Sequence, residues 1–211
     1  MANTGANTGT NTGTNTGSNL RMHRSDVVPQ LVGDNRDFLI IAGLAGTAKD
    51  IEGLELGADN AFVLGGAMGA AVSTGIGLAV MQPDRQVLVA TGDGELLMNI
   101  GALATVVASG VERFSILCVD NERYGETGNQ ITHTSMGTDL AAVARGFGIK
   151  NVLTVTAEDE IPAANAMLRR ADGPNFVHLK VNDGPPTRPP GRSWDAVERK
   201  LAFRKALLGH S

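Results

Sequence analysis

Short, almost purely apolar runs recur along the chain, separated by polar joints that carry glycine. Phe38-Leu39-Ile40-Ile41-Ala42, Ala61-Phe62-Val63-Leu64, Gln86-Val87-Leu88-Val89-Ala90-Thr91, Phe114-Ser115-Ile116-Leu117-Cys118-Val119, Asn151–Val155 and Asn175–Val181 all have strand length. They show little polar alternation, which marks strands buried on both faces. Between them the periodicity turns helical. Ser25-Asp26 opens a helix with Val27, Val28, Leu31 and Val32 on one face, and small and apolar residues predict a tightly packed helix from Met68 to about Met81. Asn99 is placed to cap a helix that runs to Ser109 and stops at Gly110. Thr138-Asp139 starts another through Arg145, and Ala157–Arg170 completes the set. This alternation predicts an α/β fold: a doubly wound, mainly parallel six-stranded sheet with helices on both faces.

The two ends break the pattern. Asn-Thr-Gly repeats from Asn3 to about Ser18 can bury nothing, so residues 1–20 read as a flexible low-complexity tail without a part in function. Residues 21–181 form the domain. In 182–211, four prolines between Asn182 and Arg192 make a strap, and Ser193 starts a final helix. Trp194, Val197, Leu201 and Leu208 share one face of that helix, to pack on its own domain or on a partner.

Composition narrows the function classes. Aromatic residues are 4% of the chain and the net charge is −4, which argues against a nucleic-acid partner. The longest apolar stretches are broken by glycine and fall short of a membrane span, and no signal-peptide core is present. The single cysteine, Cys118, falls in a core strand and excludes a disulfide framework. The expectation is a cytoplasmic protein without membrane contact.

The chemistry concentrates at two strand ends. Gly92-Asp93-Gly94 follows the third run, and Asp120-Asn121-Glu122-Arg123 follows the fourth. In an open parallel sheet, ligands bind at the carboxyl ends of the strands. Asp93 offers a hard carboxylate, Asn121 an amide oxygen and Arg123 a main-chain carbonyl, a donor set suited to Mg2+ completed by phosphate and water. Gly92 and Gly94 let a diphosphate approach the backbone, and free N–H groups at the start of the next helix favour an anion. Lys and Arg are absent from 92–99, so the metal is expected to balance the charge. Gly92-Asp93-Gly94 alone is a common turn sequence; the pairing with Asn121 at the next strand end is the informative feature.

Gly92-Asp93-Gly94, the spacer and Asn121 resemble the cofactor motif of the thiamin diphosphate-dependent enzymes. That motif ends in two asparagines; here the first is Asp120, and the second, the metal-contacting one, is kept as Asn121. Gly66-Ala67-Met68-Gly69 is similar to the segment that holds the aminopyrimidine ring, with Met68 lying 25 residues before Asp93. By that resemblance the Gly66 carbonyl accepts from the amino group, and Met68 wedges between the two rings and imposes the bent cofactor. Gly46 and Thr47, in the turn after the first strand, are implied to touch the diphosphate. Glu95 is implied to offer its backbone N–H there, with its carboxylate pointing away.

The resemblance covers only the diphosphate-binding half of such an enzyme. It is similar to the small (beta) subunits of two-subunit 2-oxo acid decarboxylases of the sulfopyruvate and phosphonopyruvate type. It implies a separate pyrimidine-binding (alpha) subunit that supplies the activating glutamate, hence a hetero-oligomer, with thiamin diphosphate and Mg2+ as cofactors and a small 2-oxo acid as substrate. The loop Tyr124–Met136 is expected to reach substrate through Tyr124, Gln130 or His133, each of which can equally bond its own backbone or water. A carboligase of the acetolactate synthase type and a non-catalytic diphosphate-binding module stay open as alternatives. An oxidoreductase subunit is disfavoured, because iron–sulfur cysteines are missing. No Gly-x-x-x-x-Gly-Lys loop is present for ATP.

Overall fold

The computed structural model describes residues 22–54, 58–187 and 195–209. The tail 1–20 lies outside the described residues, as do Arg188, Arg192, Ser193, Trp194 and His210. In chain order the elements are α1 (Arg24–Val32), β1 (Leu39–Ala42), α2 (Ala45–Glu52), β2 (Ala61–Val63), α3 (Ala71–Met81), β3 (Val87–Gly92), α4 (Asp93–Met98) and α5 (Ala102–Ser109). Then follow β4 (Phe114–Asp120), β5 (Arg123–Tyr124), β6 (Gln130–Ile131), α6 (Leu140–Gly146), β7 (Asn151–Val155), α7 (Ile161–Leu168), β8 (Asn175–Lys180) and α8 (Ala196–Leu208). Six strands form one sheet in the order β2-β1-β3-β4-β8-β7, every pairing parallel. The expected doubly wound architecture is therefore the observed one.

The strands are apolar throughout because each supplies two cores. Ile40, Ala42, Leu88, Ala90, Leu117, Val119, Val177 and Leu179 pack with residues of α1, α2 and α7 on one face. Leu39, Ile41, Val87, Val89, Ile116, Cys118 and Phe176 pack with residues of α3, α5 and α6 on the other. Successive residues point to opposite faces, so a strand buried on both sides has no polar register to show. No helix among the described residues is long and apolar enough to cross a membrane.

Several boundaries differ from expectation. The stretch after β1 is not a turn through Thr47: α2 begins at Ala45, itself at φ 62°. Helix α3 begins at Ala71 rather than Met68, because Gly69 sits at φ 86° and keeps 66–70 in turns. Asn99 does not cap α5; it ends α4, and its side-chain amide donates to Gly69 O (3.2 Å) and Ser73 Oγ (3.2 Å). The Tyr124–Met136 loop holds the antiparallel pair β5–β6 and a 3-10 turn at His133–Met136. On α8, Val197, Leu201 and Leu208 face out, while Phe203 and Leu207 are the packing residues, with Phe203 tilted against Phe62 at 5.8 Å. The cap of α8 is Asp195, which accepts from Val197 N and Glu198 N.

Candidate active site

The sheet order reverses between β1 and β3: the chain leaves β1 toward β2, then crosses back to lay β3 on the other side. At such a switch point the loops after adjacent strands part and leave a crevice at their carboxyl ends. A cavity of about 320 Å³ opens there. Among its walls are Gly46 and Thr47 from the start of α2, Met68 from the turn before α3, Gly92, Asp93, Gly94 and Glu95 after β3, and Asn121, Arg123 and Tyr124 after β4. Ten of the expected site residues are thus brought together. Gly66 and His133 are not among the lining residues; both are exposed.

Asp93 is the first residue of α4 and only 2% exposed. Its Oδ2 accepts from Thr132 Oγ1 at 2.5 Å and lies 3.0 Å from Thr134 Oγ1. Burial, then the nearby charge of Asp120, pushes its pKa up to about 6, with the two threonines opposing the rise. Asp120 ends β4 and is fully buried. Its Oδ1 accepts from Glu122 N (3.0 Å) and Thr134 Oγ1 (2.9 Å), and its Oδ2 meets His178 Nε2 (2.7 Å) and Lys180 Nζ (3.0 Å). Burial raises the Asp120 pKa, but the His178 contact and the Lys180 charge outweigh it and hold the group below its ordinary value. Thr134 has one hydroxyl hydrogen for three oxygens within 3.0 Å, so the two aspartates compete for it.

Asn121 Oδ1 lies 3.4 Å from Arg123 N, an Asx-type turn that folds the chain back into β5. Glu122 between them takes φ 60°, a left-handed conformation unusual for a glutamate. Gly94 is required sterically, since a Cβ there would overlap the Tyr124 ring. Gly92 has room, its nearest neighbour being Thr47 Oγ1 at 3.7 Å. The Glu95 carboxylate is buried under the β1 end, where Oε2 accepts from Thr91 Oγ1 (3.0 Å) and Leu44 N (3.4 Å). It fills the space a side chain at Gly43 would need. Burial raises its pKa.

Cationic side chains do line the cavity, supplied by elements other than 92–99. Arg24 is buried against Asp50 (2.6 Å), Lys49 reaches Glu126 (3.0 Å), and Arg123 lies 3.9 Å from Asp183. The strap 183–187 closes one side of the cavity, tied down by Thr187 N to Asp50 Oδ1 at 3.3 Å. No group of three His, Cys, Asp or Glu among the described residues is arranged to hold a metal alone. The expected donor residues Asp93, Asn121 and Arg123 instead line the cavity together, with glycines beside them. Among the described residues Asp93 has hydroxyl partners and no cationic one, so a hard divalent cation bearing phosphate oxygens fits this chemistry.

Residues 58–179 match the family described as thiamine pyrophosphate enzyme, C-terminal TPP binding domain. The chain belongs to this family. Within it, the chain is 34% identical over 165 residues to the sulfopyruvate decarboxylase subunit beta of Methanothermobacter thermautotrophicus, covering 78% of this chain and 85% of that one. It is 36% identical over 149 residues to the phosphonopyruvate decarboxylase of Streptomyces viridochromogenes, covering 71% of this chain but 37% of that one. An X-ray structure described as a thiamin diphosphate-dependent enzyme of Mycobacterium smegmatis superposes with a TM-score of 0.63 at 26% identity, over 80% of this chain and 32% of that chain.

Reasoning from sequence missed Thr132 and Thr134, His178 and Lys180, and the Arg24–Asp50 pair. A threonine two residues from another in a polar loop carries no distinctive signal. His178 and Lys180 carry one: two cationizable residues, two apart, close a strand that is otherwise apolar.

Proposed function

We propose that this chain is the diphosphate- and Mg2+-binding subunit of a thiamin diphosphate-dependent 2-oxo acid decarboxylase whose active site is completed by a separate pyrimidine-binding subunit. One observation carries the reading: Asp93 and Asn121, on neighbouring strand ends, share a cavity with Met68, in a chain that spans most of a decarboxylase beta subunit. Asp93, Asn121 and the Arg123 carbonyl would hold the metal; Gly92, Gly94, Gly46, Thr47 and the Glu95 N–H would face the diphosphate. Asn99 fastens the Gly69 turn to the end of α4, which fixes Met68 relative to Asp93. Met68, 37% exposed at the cavity wall, would wedge the bound cofactor into its bent form, with the Gly66 carbonyl accepting from the aminopyrimidine. When bound, the cofactor supplies the electron sink that makes loss of carbon dioxide from a 2-oxo acid feasible.

The remaining work of the chain is positioning. Tyr124 packs over Gly94 and, with Arg123, walls the side where a substrate carboxylate would lie. His133 and Gln130 lie on the same loop, outside the cavity wall, and would reach substrate only if that loop moved. The activating glutamate comes from the partner, so the assembly is a hetero-oligomer. A buried unpaired cysteine fits the reducing cytoplasm.

The test is co-purification from the native host followed by assay of the complex on a panel of 2-oxo acids. Carbon dioxide release without a second substrate supports the decarboxylase. Release that requires a carbonyl acceptor would transfer the reading to a carboligase. A complex inert on the whole panel, yet saturated with cofactor, would reject both.

A further inference from the structure

A buried carboxylate stands at 120, where the family motif has an uncharged asparagine. Burying a charge is unfavourable unless it is paired and hydrogen-bonded. The pairing comes from β8. The β4–β8 register sets Lys180 opposite Asp120 and His178 opposite Cys118, two positions on the same face of one strand. Both side chains converge on Asp120 Oδ2, at 2.7 and 3.0 Å, and Lys180 also reaches Glu122 Oε1 at 2.6 Å. The other oxygen, Oδ1, accepts from Thr134, whose hydroxyl lies 3.0 Å from Asp93 Oδ2. A continuous chain of buried polar contacts therefore runs from β8, across the end of β4, to the carboxylate at the end of β3. Neither His178 nor Lys180 is a cavity-lining residue, so their effect on the site passes through Asp120 and, for Lys180, also through Glu122 between Asn121 and Arg123.

We propose that His178 and Lys180 are positioning residues for the cation site: they hold Asp120 as a fixed acceptor that takes the single Thr134 hydrogen, which leaves Asp93 with Thr132 as its donor and its remaining lone pairs turned to the cation. This inference rests on Asp93 being a cation ligand. An asparagine at 120 would turn its NH2 or its weaker amide oxygen toward two donors, so 120, 178 and 180 form a matched set. With a carboxylate the set is charged; with an amide it fits uncharged partners. Asp120 and the pair on β8 are therefore expected to be exchangeable only together.

The experiment titrates Mn2+ into the full-length chain, with its co-purifying partner, at saturating thiamin diphosphate, and counts bound metal by electron paramagnetic resonance. Melting of the metal-free samples is followed in parallel. Wild type and Asp93→Ala come first; if they bind Mn2+ alike, the cation-site reading itself fails and the proposal with it. If they differ, Lys180→Met is expected to weaken Mn2+ by about tenfold in protein that remains folded, as loss of an outer partner of a ligand does. The double variant Asp120→Asn/Lys180→Met is expected to return to within about threefold of wild type, the non-additivity of a coupled pair. A merely structural ion pair would lower the melting temperature of Lys180→Met and leave Mn2+ affinity within about twofold of wild type, and that result overturns the proposal. A double variant as weak as the single one also overturns it. Should Lys180→Met not fold, His178→Gln and His178→Leu take its place. The glutamine keeps a donor and should hold Mn2+ near the wild-type affinity while the leucine weakens it; equal affinities reject the positioning role.

Discussion

Asp93 and Asp120 end neighbouring parallel strands at the same rim of the sheet, both almost removed from solvent, yet their proton affinities are pushed in opposite directions. Burial acts on both in the same sense. The difference lies in what surrounds them: Asp120 meets His178 and Lys180, whereas Asp93 meets two threonine hydroxyls and the field of Asp120. One end is internally neutralised and structural. The other is left energetically uneasy, and it lines the cavity. On the proposed reading, the fold reserves one carboxylate for an incoming cation by satisfying its neighbour first.

The largest effect should come from removing the reserved carboxylate. Asp93→Ala is expected to weaken Mg2+-dependent cofactor binding by more than about 100-fold, beyond what loss of an outer partner does. Calorimetry on the complex reads this, and retained binding would break the contrast at its root. Next is the opposite response of apo stability to neutralising each aspartate. With its pKa raised to about 6, Asp93 holds a proton more tightly when folded. The stability it contributes is complete below the ordinary carboxylate range and lost as pH rises through about 6, a difference of about 3 kcal/mol at the upper limit. Asp93→Asn should therefore stabilise the metal-free protein at pH 7.5, with the gain vanishing near pH 4 in denaturant titrations. Asp120, held low, contributes stability that is present above the ordinary range and lost only as pH falls through its folded value. Asp120→Asn should therefore destabilise at pH 7.5 by about 1–3 kcal/mol, since the Lys180 ammonium loses its buried counter-charge and His178 its carboxylate partner.

A smaller effect sharpens the same point by titration. With Asp93 as the proposed metal ligand, affinity should fall by about tenfold per pH unit below pH 6; a flat profile from pH 5 to 7.5 would show that Asp93 is already ionised. Smallest is a steric pair. Gly94→Ala drives a methyl into the Tyr124 ring and should cost about 1–3 kcal/mol of stability. Gly92→Ala, with 3.7 Å of clearance, should change stability by less than about 0.5 kcal/mol and show only in diphosphate affinity. Chemical denaturation of the two metal-free variants compares them directly.

Much of the fold was legible because strands buried on both faces announce themselves as unbroken apolar runs, and six of them alternate with helices. The ligand edge was legible because Gly92-Asp93-Gly94 and Asn121 each follow such a run at once. Helix α2 was not, since only a few side chains of Ala-Gly-Thr-Ala-Lys-Asp-Ile-Glu, such as Ala48 and Ile51, mark an apolar face. The partner of Asp120 was hidden for a different reason. Chain order alone would set β7 beside β4, and the observed crossover sets β8 there instead, which decides that His178 and Lys180, rather than residues of β7, meet the buried carboxylate. Thr132 and Thr134 became site residues only through the β5–β6 pair, which turns a polar loop back under the end of β3.

Glu95 and Gly43 occupy a single volume under the end of β1. The two positions are therefore one design variable: any larger residue at 43 demands a smaller one at 95, and the reverse. Widening the cavity floor for a bulkier ligand should start by shortening Glu95, because that leaves the backbone of the switch point untouched. Substituting Gly43 first would displace the Glu95 carboxylate and break its bonds to Thr91 and Leu44.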